Sequence, residues 1–110
     1  MNPRDYTKAV IDQLEFEGCK EIVKLSPSRF YATDDNGVGY DIKVKYCLMP
    51  RRLGVTDIHY LAEWMSKDRI DVLITNGSEL TSHIKRYLDD NGIKVILGWN
   101  PDDNILEHLR

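Results

Sequence analysis

A chain of 110 residues, 42% hydrophobic and 30% charged, is sized for one domain with a buried core, which excludes extended disorder. The formal charge of −3 excludes a uniformly basic nucleic-acid binder and leaves room only for a local basic patch. No apolar run reaches the ~18–20 residues of a membrane span, and MNPRDYTKAV lacks the apolar centre of a signal peptide, so the expected setting is cytoplasmic.

The first element is a helix over residues 3–17. Asn2 is placed to cap it, Pro3 suits its first position, and Tyr6, Val10 and Leu14 recur on one side until Gly18 stops it. Strands follow at about 20–25, 29–34 and 38–47, the last two joined by the turn signal DDNG, where Asn-Gly tolerates positive φ. Thr56 is expected to cap a second helix at roughly 57–67, with Ile58, Leu61, Ala62 and Met65 facing inward. IDVLI, in a strand expected at 70–75, is a continuous apolar run suited to a strand buried on both faces. Ser78 is placed to cap a third helix carrying Leu80, Ile84 and Leu88, which Gly92 ends. A fifth strand at 93–97 and a short terminal helix with Ile105, Leu106 and Leu109 complete the chain. Cys19 and Cys47 have no CxxC spacing and read as reduced thiols. The order αβββαβαβ predicts an antiparallel meander followed by a parallel β-α-β unit, hence an α/β sandwich around a mixed sheet.

The third strand, GYDIKVKY, sets Asp41, Lys43 and Lys45 on one face and Tyr40, Ile42, Val44 and Tyr46 on the other. A two-residue Asn36-Gly37 loop pairs Phe30 with Lys43, Ser28 with Lys45 and Ala32 with Asp41; a one-residue change in the turn would flip all three. Any amphipathic strand yields such a charged face. It also has a chemical use: carboxylates hold a divalent cation that orients a water for attack on a phosphodiester, and a neighbouring lysine stabilises the charge that develops.

The wording of the chain adds to this. IKVKY, LGVTDIHYLAEWM and DVLITNGSELTSHIKRYLDDNGIKVILGW resemble the third strand, the following loop and helix, and the closing strand-helix-strand of the PD-(D/E)xK nuclease superfamily, in particular the Mrr-type restriction endonuclease domain. The likeness covers about residues 5–99 and is more specific in its later half. It implies a restriction-endonuclease-like αβββαβαβ fold with a degenerate catalytic motif. Aligning Lys45 with the family lysine puts Lys43 where Gln or Glu is expected and Phe30 where a metal-binding Asp is expected. The other register takes Asp41 and Lys43 as the acid-x-lysine pair.

The resemblance implies a Mg²⁺-dependent DNA endonuclease ancestry. Asp34 and Asp41 would be the metal carboxylates (Glu15 or Glu17 being other sources), and Asp41, Lys43 and Lys45 the catalytic set. Lys43, Lys45, Arg51 and Arg52 would form a phosphate-binding strip. With the motif eroded, weak or no cleavage is expected, with DNA as partner. The alternative is a non-catalytic module that binds a protein or a second copy. His59, His83 and His108 are too scattered for a metal set. Trp64 and Trp99 read as packing residues rather than base-stacking platforms. TNGS ahead of the third helix reads as a cap and turn rather than an anion site.

Overall fold

The computed structural model describes every residue except Met49, Pro50 and Arg51, and only the backbone of Val55, Thr56 and Ala62. In chain order the elements are α1 (Pro3–Phe16), β1 (Glu21–Ser26), β2 (Arg29–Thr33), β3 (Gly39–Lys45), β4 (Arg52–Leu53), α2 (Val55–Ile58), a 3-10 helix (His59–Trp64), β5 (Ile70–Thr75), β6 (Glu79–Leu80), α3 (Ser82–Asp90), β7 (Lys94–Ile96) and α4 (Leu106–Leu109). The five main strands form one sheet in the order β1-β2-β3-β5-β7. β1, β2 and β3 are an antiparallel meander, and β3, β5 and β7 run parallel. The expected mixed sheet and order of elements are therefore present. The two-residue strands β4 and β6 pair separately and were not expected.

One face of the sheet carries α1 and α4. Tyr6, Val10 and Leu14 of α1 pack with Phe30, Ala32, Tyr40, Ile42 and Val44, and with Trp99, Ile105 and Leu106 from the C-terminal segment. The Tyr6 hydroxyl donates to the Trp99 carbonyl at 2.7 Å, which ties α1 to the chain end. The opposite face carries a second core of Ile58, Leu61, Leu73, Ile84, Leu88 and Ile93. Asn2 caps α1 by accepting from the Asp5 amide at 2.8 Å, as its position implied.

Three local expectations are corrected. The helix expected at 57–67 starts at Val55 and gives way to a 3-10 segment at His59; Ile58 and Leu61 are buried, whereas Met65 is 37% exposed. The expected inward side chain of Ala62 and the Thr56 cap side chain lie outside the described residues. Ser78 does not cap α3: residues 79–80 form β6, and Thr81 caps instead, accepting from the Ile84 amide.

The hairpin turn decides the register. The Asp34 amide donates to the Val38 carbonyl at 3.0 Å, and the Gly37 amide donates to the Asp34 carbonyl at 3.1 Å. This encloses a three-residue loop rather than a two-residue one. A two-residue type I′ turn needs positive φ at both central residues. Here Gly37 has φ 84° while Asn36 does not enter that region, which is the three-residue geometry. The pairing becomes Arg29 with Lys43, Phe30 with Ile42, Tyr31 with Asp41 and Ala32 with Tyr40. The expected partners of Lys43 and Asp41 are each displaced by one residue, and Ser28, expected opposite Lys45, is bonded by the Val44 amide, so Phe30 turns into the α1 core and Arg29 joins the charged face.

The buried Asp34 carboxylate organises this turn. It accepts from the Asn36 and Val38 amides, each at 2.9 Å, and from the Tyr40 hydroxyl at 3.2 Å and Arg110 at 3.4 Å. Burial pushes its pKa up, but those hydrogen bonds outweigh burial and hold the carboxyl below its usual value. A depressed folded-state pKa contributes stability that is present above the unfolded value of about 3.9 and is lost as pH falls through the folded value. Urea denaturation at pH 7 is expected to find Asp34→Asn less stable than the parent, with the gap closing as pH is lowered below about 4. A gap that persists unchanged at acid pH would refute the ionised-cap account.

Candidate functional site

The register brings four charged side chains together on the face opposite α1. Asp41 of β3 lies level with Asp71 of the parallel neighbour β5, and with Tyr31 of β2 on its other side. Arg29, two residues before Tyr31, reaches across to Asp41 with both arms of its guanidinium: Nε to Oδ1 at 3.1 Å and Nη2 to Oδ2 at 2.8 Å. This is the planar, two-point match that arginine offers a carboxylate. Lys43 inserts its ammonium between the two acids. Its Nζ lies 3.3 Å from Asp41 Oδ2 and forms a short ion pair with Asp71 Oδ1.

The cluster is closed. Asp41 is 0% and Lys43 1% exposed, although alternation alone marked theirs as the outward face of the strand. The cover is the segment leaving the 3-10 helix. The Ser66 amide donates to both Asp71 oxygens, at 3.0 and 3.3 Å, and the Arg29 guanidinium lies 5.5 Å from the centre of the Trp64 ring. Arg69 stacks over Tyr31 at 4.3 Å and passes Gly39. A methyl group at that glycine would stand 3.1 Å from Arg69 Nη1.

Two acids and two bases cancel in formal charge. Hydrogen bonding to Asp41 pushes the Arg29 pKa further up against the opposing effect of burial, so the guanidinium remains charged. Every oxygen of Asp41 and Asp71 already accepts from a protein donor.

The other expected site residues are dispersed. Asp34 serves the turn and Tyr40, on the α1 side of the sheet, so it does not converge with Asp41. Glu17 accepts from the Ile105 and Leu106 amides at 2.9 and 2.8 Å, capping α4, and Glu15 is exposed on α1. Lys43 is buried and cannot belong to a surface strip. Lys45, half-buried at the end of β3, has no ion-pair partner among the described residues. Exposed Arg52 pairs with Glu79 at 3.0 Å, and Arg51 lies outside the described residues. His59, His83 and His108 are all exposed, on different elements. Trp99 is buried with its N–H donated to the Asp103 carbonyl, as a packing residue, whereas Trp64 flanks Arg29. TNGS leads into β6, not into a helix, and Asn76 bonds both main-chain groups of Cys47. Both cysteines are buried and free, and burial pushes the Cys19 thiol up to about 11.

Asp71 and Arg29 were missed by the sequence reading. The signal for Asp71 was present: an acid inside IDVLI, a run otherwise buried on both faces, requires a cationic partner. Arg29 carried no local signal, because its face depended on the turn.

A divalent cation does not fit this donor set. Among the described residues no group of three or more His, Cys, Asp or Glu side chains is placed to hold a metal. The two carboxylates that do face each other have a lysine between them and an arginine on the open side. A cation there would have to displace both.

No protein-family model and no curated protein matches the chain. Solved structures do. The crystal structure of a protein of unknown function, AF1548, is similar at 23% identity with a TM-score of 0.67, over 98% of this chain and 65% of that one. EndoMS in its apo form is similar at 14% identity and TM-score 0.61, over 93% and 48% of the two chains. A repair endonuclease from Pyrococcus abyssi is similar at 13% identity and TM-score 0.54, over 92% and 48%. The chain thus spans just under two thirds of the first and about half of the other two. Its architecture is the restriction-endonuclease-like fold.

Proposed function

Starting from that fold, we propose that the chain is a nuclease-like module related to the Mrr-type domain, whose metal-binding face has become an internal ion cluster. It associates with nucleic acid and cleaves it weakly or not at all. One observation carries the reading: Arg29 and Lys43 occupy the carboxylates that an acid-x-lysine nuclease would turn toward a cation. Lys43, buried beneath Ser66 and the 3-10 segment, has no route to a phosphate. The chemistry of this face is therefore structural: two fixed cations pair with two acids and lock β3 to β2 and β5.

DNA is the first candidate partner because one of the similar structures is a repair endonuclease. Of the expected phosphate-binding strip, half-buried Lys45 and exposed Arg52, which pairs with Glu79, are the described members on the surface. The free, buried thiols fit a reducing, cytoplasmic setting. Among the described residues no helix is long and apolar enough to cross a membrane. A protein-binding role is the second reading, favoured by the acidic net charge of −3.

The test is a titration of labelled single- and double-stranded DNA in EDTA and in Mg²⁺ or Mn²⁺, at low and moderate salt. The expected result is binding that weakens steeply with salt and falls in Lys45→Ala and Arg52→Ala, with product at background. Metal-dependent cleavage by the parent, lost in Asp41→Asn, would overturn the reading. No affinity at low salt would shift it to a protein partner.

A further inference from the structure

We propose that β1 is a self-pairing edge through which two copies of this chain join their sheets, antiparallel, across a two-fold axis at Val23. β1 ends the sheet, and among the described residues β2 is its one neighbour there. Its side chains on one face are uncovered too: Val23 is 53% and Leu25 46% exposed. Exposed aliphatic residues on an unpaired strand are what natural proteins otherwise avoid or cover.

The direction of the main chain follows from the hydrogen bonds already in place. The Asp34 amide bonds Val38, and the Val44 amide bonds Ser28, so the even-numbered residues of β2 are committed to β3. Its odd-numbered residues Tyr31 and Thr33 therefore turn toward β1, where they pair with Val23 and Glu21. The N–H and C=O groups of Ile22 and Lys24 are left pointing out of the sheet.

Symmetry and charge then select one register. A two-fold axis normal to the sheet keeps each side chain on its own face, so it must pass through a residue rather than between two. Centred on Ile22, it sets Lys20 against Lys24 of the second copy. Centred on Lys24, it sets that lysine against itself. Like charges directly opposite are destabilising. Centred on Val23, it pairs Ile22 with Lys24 twice, which joins the outward main-chain groups, and brings the two Val23 side chains together. No like charges meet. The irregularity between Lys24 and Ser26 ends the pairing there and keeps it short.

Such an interface is small, and below roughly 1,200 Å² association is weak and concentration-dependent. Each copy carries a net charge of −3, so added salt screens the repulsion between copies and favours the dimer. Salt has the opposite effect on binding to DNA, which separates this proposal from the nucleic-acid reading.

Sedimentation velocity from about 5 to 500 µM is expected to pass from monomer to dimer, at lower concentration in higher salt. Val23→Lys should stay monomeric with unchanged stability, since Val23 is exposed, and should bind DNA as the parent does. Under mild oxidation Val23→Cys should form a disulfide dimer ~10-fold or more faster than Leu97→Cys, an exposed position away from β1. The native cysteines, both buried, do not compete. A monomer at every concentration, together with Val23→Cys crosslinking no faster than Leu97→Cys, would overturn the proposal whatever the DNA result.

Discussion

Replacing Lys43 by methionine is expected to cost about 3–5 kcal/mol of folding stability, as for other buried ion pairs that lose one partner. Methionine keeps most of the volume and removes the charge. Asp41 retains Arg29, but among the described residues Asp71 is left with the Ser66 amide alone against its carboxylate. The uncompensated acid, not the lost attraction, dominates the loss. Double replacement of Lys43 by methionine and Asp71 by leucine removes the stranded charge and should recover a large part of that stability, giving a coupling of ~1–3 kcal/mol in the double-mutant cycle. Urea denaturation of the four proteins measures it. A single-variant cost near that of an exposed pair, ~0–1 kcal/mol, would show that water reaches the cluster and that the closed reading fails.

Arg29→Asp is expected to turn the cluster into a divalent-cation site. The substitution removes the guanidinium from Asp41 and puts a third carboxylate on the same face, level with Lys43, so that a cation has only the Lys43 ammonium to displace. Without metal the variant should lose about 3–5 kcal/mol, because like charges now meet in a buried place. A cation at a hundred times its dissociation constant returns about 2.7 kcal/mol, a rise in Tm on the order of 10 °C for a domain of this size. Thermal unfolding in EDTA, Mg²⁺ and Mn²⁺ reads this directly, with Arg29→Ala as the control that removes the arginine without adding a ligand. If Arg29→Asp does not fold in EDTA, recovery of its far-UV circular dichroism on adding Mn²⁺ gives the same answer. No stabilisation beyond that of Arg29→Ala, or equal stabilisation of the parent, would refute the account. Placing the acid at Phe30, as the two-residue turn implied, should instead unfold the protein, since Phe30 is fully buried in the α1 core.

These substitutions carry the contrast between the two levels of description. The sequence by itself determined the five main strands, α1 and α3, and their order. Asn2, Pro3 and Gly18 bound α1 through local rules of capping and backbone freedom, and the period-two alternation of GYDIKVKY and the apolar run IDVLI mark β3 and β5. Such signals act over a few neighbouring residues and survive without tertiary context. Tertiary structure decided the register, and with it the site. DDNG reads locally as a two-residue Asn-Gly loop, whereas the structure closes three residues around the buried Asp34 carboxylate, and this sends Phe30 inward and Arg29 to the charged face. The 3-10 break at His59 and the position of Ser66 put a cover over Asp41 and Lys43, which alternation had marked as outward. The pairing of Lys43 with Asp71 joins residues far apart in the chain, and only the parallel alignment of β3 with β5 brings them level.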